Sequence, residues 1–226
     1  MNGEMIAYPY NGTDVPAYLS LPASGHGPAV IAIQEWWGLV GHIKDVADRL
    51  AAEGFVALAP DLYHGESASE PNEAKKLAMA LDRARAISEI GAAASYLNGL
   101  DAVQPKKIGA LGWCMGGALA LSSAAADSQA FAAVVCFYGR PLEAGDVAKL
   151  STPTLGIYGE LDGGIPQSLV HAFDNELEKN NTPHHIHTYA GAEHAFFNND
   201  RPEVYHPEAA ADAWQRTLAW LRQYLA

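Results

Sequence analysis

The sequence predicts an α/β fold with one mostly parallel central sheet and helices on both faces. Short, unbroken apolar runs recur at 28–34, 55–60, 107–113, 132–139 and 153–159, with a weaker sixth at 184–190, as strands buried on both faces require. Segments of helical periodicity, roughly 42–53, 72–98, 115–126, 166–180 and 207–225, lie between or after them. Strand and helix in alternation mean parallel strands joined by crossovers, and crossovers place helices on both sides of the sheet.

The N-terminal stretch "MIAYPYNGTDVPAYLSLP" has two short β-prone runs around the turn signal "NGTD", so a hairpin precedes the alternating part. The strand "PAVIAIQ" then runs into the loop "EWWG", and "FVALAP" into "DLYHG". The region 72–98 carries alanines and mixed charge, as a helix laid over a sheet would. "KIGALGW" leads directly into the helix that starts near Met115. "AAVVCFYG" holds Cys136 as a buried apolar filler, "PTLGIYG" follows, and "HHIHTYA" is the last strand. No repeat, low-complexity tract or linker interrupts the chain, and 226 residues lie within the roughly 250 that one core can serve. Residues 1–226 are therefore read as a single domain.

Nearly half the residues are apolar and 18% are charged, a composition that buries a full core rather than staying disordered. Fourteen basic against 26 acidic residues give a net charge of −12, with no basic cluster, which excludes nucleic acid as an expected partner. Cys114 and Cys136 are too few for a disulfide framework and fit a reducing compartment. The start lacks the basic residues and apolar core of a signal peptide, and no segment has the ~20 apolar residues that span a bilayer. The expected location is the cytoplasm, without membrane association.

In open sheets of this kind chemistry gathers at the carboxyl ends of the strands. There, "LGWCMGGALAL" places Gly112, Cys114 and Gly116 as G-x-C-x-G between a strand and a helix. This is the pattern of a nucleophile elbow with cysteine where serine is usual, and it needs small neighbours because the backbone doubles back on itself. The positive end of the following helix favours the thiolate, the reactive form of the side chain. A thiolate needs a base, and the base needs an orienting group. "YGELDGGIP" puts Asp162 in the loop after one strand, and "GAEHAFF" puts His194 in the loop after the last. Nucleophile, acid, histidine is the chain order of the α/β-hydrolases. The expected oxyanion donors are the backbone N–H groups of Met115, just after the nucleophile, and of Trp36 in "EWWG".

With these residues in place the sequence resembles the dienelactone hydrolase (carboxymethylenebutenolidase-like) family of the α/β-hydrolase fold. The stretches that carry the resemblance are "VIAIQEWWGL", "GFVALAPDLYHG", "IGALGWCMGGALAL", "GIYGELDGGIP" and "GAEHAFF". It implies hydrolysis of a small carboxylic ester or lactone, with Cys114 as nucleophile, His194 as base and then acid, and Asp162 orienting His194. It also implies no metal and no organic cofactor. In the family the glutamate of the "QE" pair, here Glu35, faces the nucleophile and can bond the thiol at rest. A carboxylate beside a cysteine opposes the thiolate unless it takes the proton, so Glu35 is either a local base or a brake. Family members acting on dienelactone hold its carboxylate with arginines, but "ESASEPNEAKKL" has none, and Asn198 stands in the later place. Lys75, Lys76, Arg83 and Arg201 read as surface ion-pair residues, so uncharged substrates are expected to do comparatively well.

At least one of Trp36 and Trp37 is expected to wall an apolar pocket beside the nucleophile, and Tyr63 either reaches that site or packs in the core. His184, His185 and His187 lack a carboxylate or cysteine at ligand spacing, so no metal site is expected there. A monomer is the expected state, and a dimer is compatible with it. The rival reading is a non-catalytic, redox-sensing protein in which Cys114 is an oxidisable thiol.

Overall fold

The computed structural model describes residues 3–226, and it holds one eight-stranded sheet. The strands are β1 (Glu4–Tyr10), β2 (Thr13–Ser20), β3 (Gly27–Ile33), β4 (Val56–Pro60), β5 (Val103–Trp113), β6 (Ala133–Phe137), β7 (Thr154–Gly159) and β8 (His184–Tyr189). The helices are α1 (Gly41–Ala52), α2 (Pro71–Ala80), α3 (Arg83–Gly99), α4 (Met115–Ala126), α5 (Ala144–Val147), α6 (Gln167–Lys179) and α7 (Pro207–Leu225). The order across the sheet is β1-β2-β4-β3-β5-β6-β7-β8. The hairpin and its junction to β4 are antiparallel, and every pairing from β4 to β8 is parallel.

Apolar runs make this sheet because successive side chains of a strand point to opposite faces and both faces are covered. Val30 and Ala32 of β3, Leu111 and Trp113 of β5, and Val135 and Phe137 of β6 face one core, which α1 and α7 close. Ile31 and Ile33, Ile108 and Ala110, and Val134 and Cys136 face the other, closed chiefly by α3 and α4. Complete burial of each such valine or isoleucine stabilises the fold by roughly 1.5–3 kcal/mol. The helix α4 is apolar nearly all round and buried from Gly116 to Leu121, as expected of a helix sunk between the sheet and α3.

The structure corrects the helical reading of 72–98, which is two helices and not one. Leu81 is extended, with ψ of 120°, and the Asp82 side chain accepts a hydrogen bond from Arg85 N at 3.1 Å, so a new helix is capped where the first stops. β5 begins at Val103 rather than at 107, and the short α5 was not expected. No helix among the described residues is long and apolar enough to cross a membrane.

The chain leaves β3 to build the sheet on one side and returns at β5 to build the other. The loops after β3 and β5 therefore diverge and leave a crevice at their carboxyl ends. Glu35 and Trp36 lie in the first loop and Cys114 in the second.

Candidate active site

Cys114 sits between β5 and α4 with φ of 54° and ψ of −116°, a conformation costly for any residue with a side chain, by about 1–3 kcal/mol. Its neighbours hold it there. A Cβ on Gly112 would run into the Gly116 carbonyl, and one on Gly116 into the carbonyls of Ile33 and Gln34. A Cβ on Gly139, just past β6, would likewise run into the backbone of Gly117 and Ala118. Cys114 N donates to Phe137 O at 2.9 Å, tying the turn to the end of β6. The side chain is partly exposed, whereas Cys136 is fully buried and its thiol is pushed up to about 12 by burial.

Asp162 follows β7 and is buried. Its Oδ1 accepts from the backbone N–H of Gly164 at 2.8 Å and of Ile165 at 3.0 Å, and its Oδ2 lies 2.6 Å from His194 Nδ1. Burial opposes its charge, but the bonds to His194 and to the two backbone donors outweigh burial and hold the carboxyl below its usual range. An ionised carboxylate can only accept, so His194 carries its proton on Nδ1 toward Asp162 and Nε2 is left for the cleft.

His194 is placed by a loop in which Gly191 and Ala195 both take positive φ. Burial alone would lower the affinity of its ring for a proton. The hydrogen bonds and charges of Asp162 and Cys114 act the other way and push it up to about 10. Cys114 and His194 line one cleft of about 280 Å³, together with Trp36, Met115, Ile165 and Tyr138. Sulfur and imidazole, from the loops after β5 and β8, thus share one cleft, and the carboxylate from the loop after β7 bonds the far nitrogen of the imidazole.

Met115 opens α4, so its N–H has no carbonyl one turn earlier to bond and is available at the cleft. Trp36 lines the cleft opposite. The Tyr63 hydroxyl donates to Trp36 O at 3.2 Å and lies 3.6 Å from Met115 Sδ, so it clasps the β3 loop to the elbow and does not line the cleft. Trp37 and Asn198 also fall outside the nucleophile's pocket. Both line a neighbouring cavity of about 450 Å³, with Arg201 over the Trp37 ring at 5.8 Å. Asn198 is drawn inward because its Nδ2 donates to Glu35 Oε2 at 2.7 Å. Glu35 is buried, and its other oxygen accepts from Tyr138 at 3.2 Å. Its hydrogen bonds go to these two side chains and not to the thiol.

Arg83 does not take the surface ion-pair role expected of it. It opens α3 at the break that the continuous-helix reading missed, lies at the rim of the Cys114 cleft, and has no ion pair among the described residues. Arg140 lines the same rim, 3.9 Å from Glu143 in a pair that is mostly exposed. Arg201 pairs with Glu203 as expected. Tyr138 and Arg140 went unread in the sequence, although "CFYGR" at the end of a strand was the available signal. On β8, His185 and His187 stack at 6.2 Å, and His184 faces Asp174.

Comparison with known proteins places the chain in a family. The model of the "Dienelactone hydrolase family" matches residues 15–225. "Protein usf" of Aquifex pyrophilus is 37% identical, the alignment covering 99% of each chain. A Bradyrhizobium sp. protein named "Probable 2-oxo-3-(5-oxofuran-2-ylidene)propanoate lactonase" is 35% identical over 95% of this chain and 92% of its own. A crystal structure from Klebsiella pneumoniae subsp. pneumoniae superposes with a TM-score of 0.89 at 32% identity, covering 98% of each chain.

Proposed function

Because the chain belongs to the dienelactone hydrolase family, we propose that it hydrolyses a small lactone or carboxylic ester through a thioester on Cys114. The observation that carries this reading is the 2.6 Å bond between His194 Nδ1 and Asp162 Oδ2, with His194 and Cys114 lining one cleft.

The Cys114 thiolate attacks the carbonyl carbon, and the oxygen that gains charge is held by the N–H groups of Met115 and Trp36. As the C–O bond breaks, His194 Nε2 gives its proton to the departing alkoxide, which in a lactone stays tethered to the acyl group. The sulfur has then lost its charge, and with it one of the influences that raise His194. Asp162 still orients the ring, now neutral and able to act as a base. It takes a proton from water as the oxygen attacks the thioester, and the C–S bond breaks to restore thiolate and imidazolium. The lactonase named in Bradyrhizobium supports a lactone as the substrate class.

Cys114→Ala removes the nucleophile and leaves the pocket intact. Hydrolysis of small aryl esters and enol lactones by this variant is expected to fall to the uncatalysed rate, measured by release of the alcohol or loss of the enol absorbance. Retention of most of the activity would overturn the reading.

A further inference from the structure

Trp36 and Met115 line the cleft with Cys114, and among the described residues neither backbone N–H has a hydrogen-bond partner. The loop that carries Trp36 is otherwise tied down by its carbonyls. Glu35 O accepts from Gly38 N at 3.3 Å, and Trp37 O accepts from Ala68 N at 2.9 Å. The carbonyl between them, that of Trp36, accepts from the Tyr63 hydroxyl at 3.2 Å. The same hydroxyl lies 3.6 Å from Met115 Sδ, so one phenol touches both residues whose N–H groups are left over. Tyr63 is itself aimed by its neighbours. Asp61, just after β4, is buried, its Oδ1 accepting from Tyr63 N at 3.1 Å and its Oδ2 from Gly65 N at 2.7 Å. Gln34 Oε1 accepts from Leu62 N at 3.1 Å and ties this turn to the end of β3.

We infer that Tyr63 is a positioning residue: its hydroxyl fixes the Trp36 carbonyl against the elbow, and so sets how the Trp36 and Met115 N–H groups meet the substrate's oxyanion. This rests on the thioester reading and deepens it. Tyr63 does not line the cleft, so it acts through Trp36 and Met115 and not on substrate. Because a peptide is planar, the bond on Glu35 O fixes the plane that contains the Trp36 N–H, and the bond on Trp36 O fixes the next plane. Together they leave that N–H one direction. Burial first, and the charge of Cys114 second, keep the proton on the phenol, so it remains a donor. Donors stabilise an oxyanion by being in place before the charge develops, so slack in one of them lowers the rate and not the affinity for substrate.

The test sets hydrolysis beside two reactions of Cys114 that involve no turnover. For Tyr63→Phe, which keeps the buried ring, kcat and kcat/KM for a small aryl ester are expected to fall together by about tenfold, less than the loss of a whole donor. A small trifluoromethyl ketone takes the sulfur on its carbonyl carbon and leaves the electron pair on oxygen, so its inhibition constant is expected to rise by about the same factor. Alkylation by iodoacetamide builds no such oxygen, and its rate is expected to match wild type, which also shows that the variant is folded. An unchanged kcat would overturn the inference, and so would a rise in KM alone. An equal loss in alkylation would overturn it too, by placing the effect on the sulfur. Failure of the thioester reading shows separately, as hydrolysis retained by Cys114→Ala.

Discussion

The bond between Asp162 and His194 contributes to stability as well as to the proposed chemistry, and the two partners give it opposite pH limits. In the folded chain the His194 ring keeps its extra proton up to about pH 10, against 6.5 for an ordinary histidine. The folded state therefore binds more protons in that window, and stability falls as pH rises through it. Asp162 is held below the usual carboxyl value of 3.8, so its contribution is present above that value and lost as pH falls through the folded one. Urea unfolding of wild type and His194→Gln is expected to diverge on these grounds. The stability advantage of wild type should shrink from pH 6.5 to 10, and a constant difference would show that the ring gains no proton affinity from its partners. At this scale much was legible. Cys114, Asp162 and His194 could be named because each follows an apolar run at a strand end, in the order the chemistry needs. Of the two tryptophans Trp36 is the one that walls the cleft, while Asn198 lines a neighbouring cavity, because a position near the catalytic histidine in sequence says nothing of which way a side chain turns. Asn198 turns toward Glu35, a residue 163 positions away.

Among the elements, the elbow depends most on what is missing from its side chains. Gly116 lies against the carbonyls of Ile33 and Gln34, so α4 can begin directly above β3. Gly116→Ala is expected to cost at least about 2 kcal/mol of unfolding free energy, because the obstruction is backbone and cannot rotate away. A cost below half a kcal/mol, measured by urea denaturation, would mean that the elbow has more room than its geometry allows. The strands were readable because burial on both faces leaves an unbroken apolar run. The single helix drawn through 72–98 was not correct, since its alanines and charges keep helical spacing across the break. The signal of the break is Asp82, an N-cap residue three positions before Arg85, whose N–H it binds. That break also brings Arg83 to the cleft.

Over the whole molecule the charge is strongly negative, so a positive rim at the cleft is a local exception. Arg83 and Arg140 make that rim without a firm carboxylate partner. The sequence-based expectation is that uncharged substrates do comparatively well; the contrary proposal, that this rim favours a substrate carrying its own carboxylate, has a direct test. Exposed ion pairs contribute up to about 1 kcal/mol each, so replacing either arginine by glutamine is expected to raise KM for a carboxylate-bearing lactone by about fivefold. KM for a neutral aryl ester should not move, and an equal rise for both substrates would show that the arginines only shape the cleft. The overall architecture was legible because alternation of strand and helix leaves few topologies. The arginine rim was not, because it joins the start of α3 to the loop after β6, and no local pattern announces that meeting.

The proposed chemistry turns on one covalent bond between substrate and sulfur. Acid quenching during turnover of a slowly hydrolysed ester, followed by intact-mass and peptide spectrometry, measures it directly. The expected result is an adduct of the acyl mass on the peptide containing Cys114, removed by hydroxylamine and absent from Cys114→Ala. Steady hydrolysis with that peptide unmodified, or with the acyl group on another residue, would contradict the account.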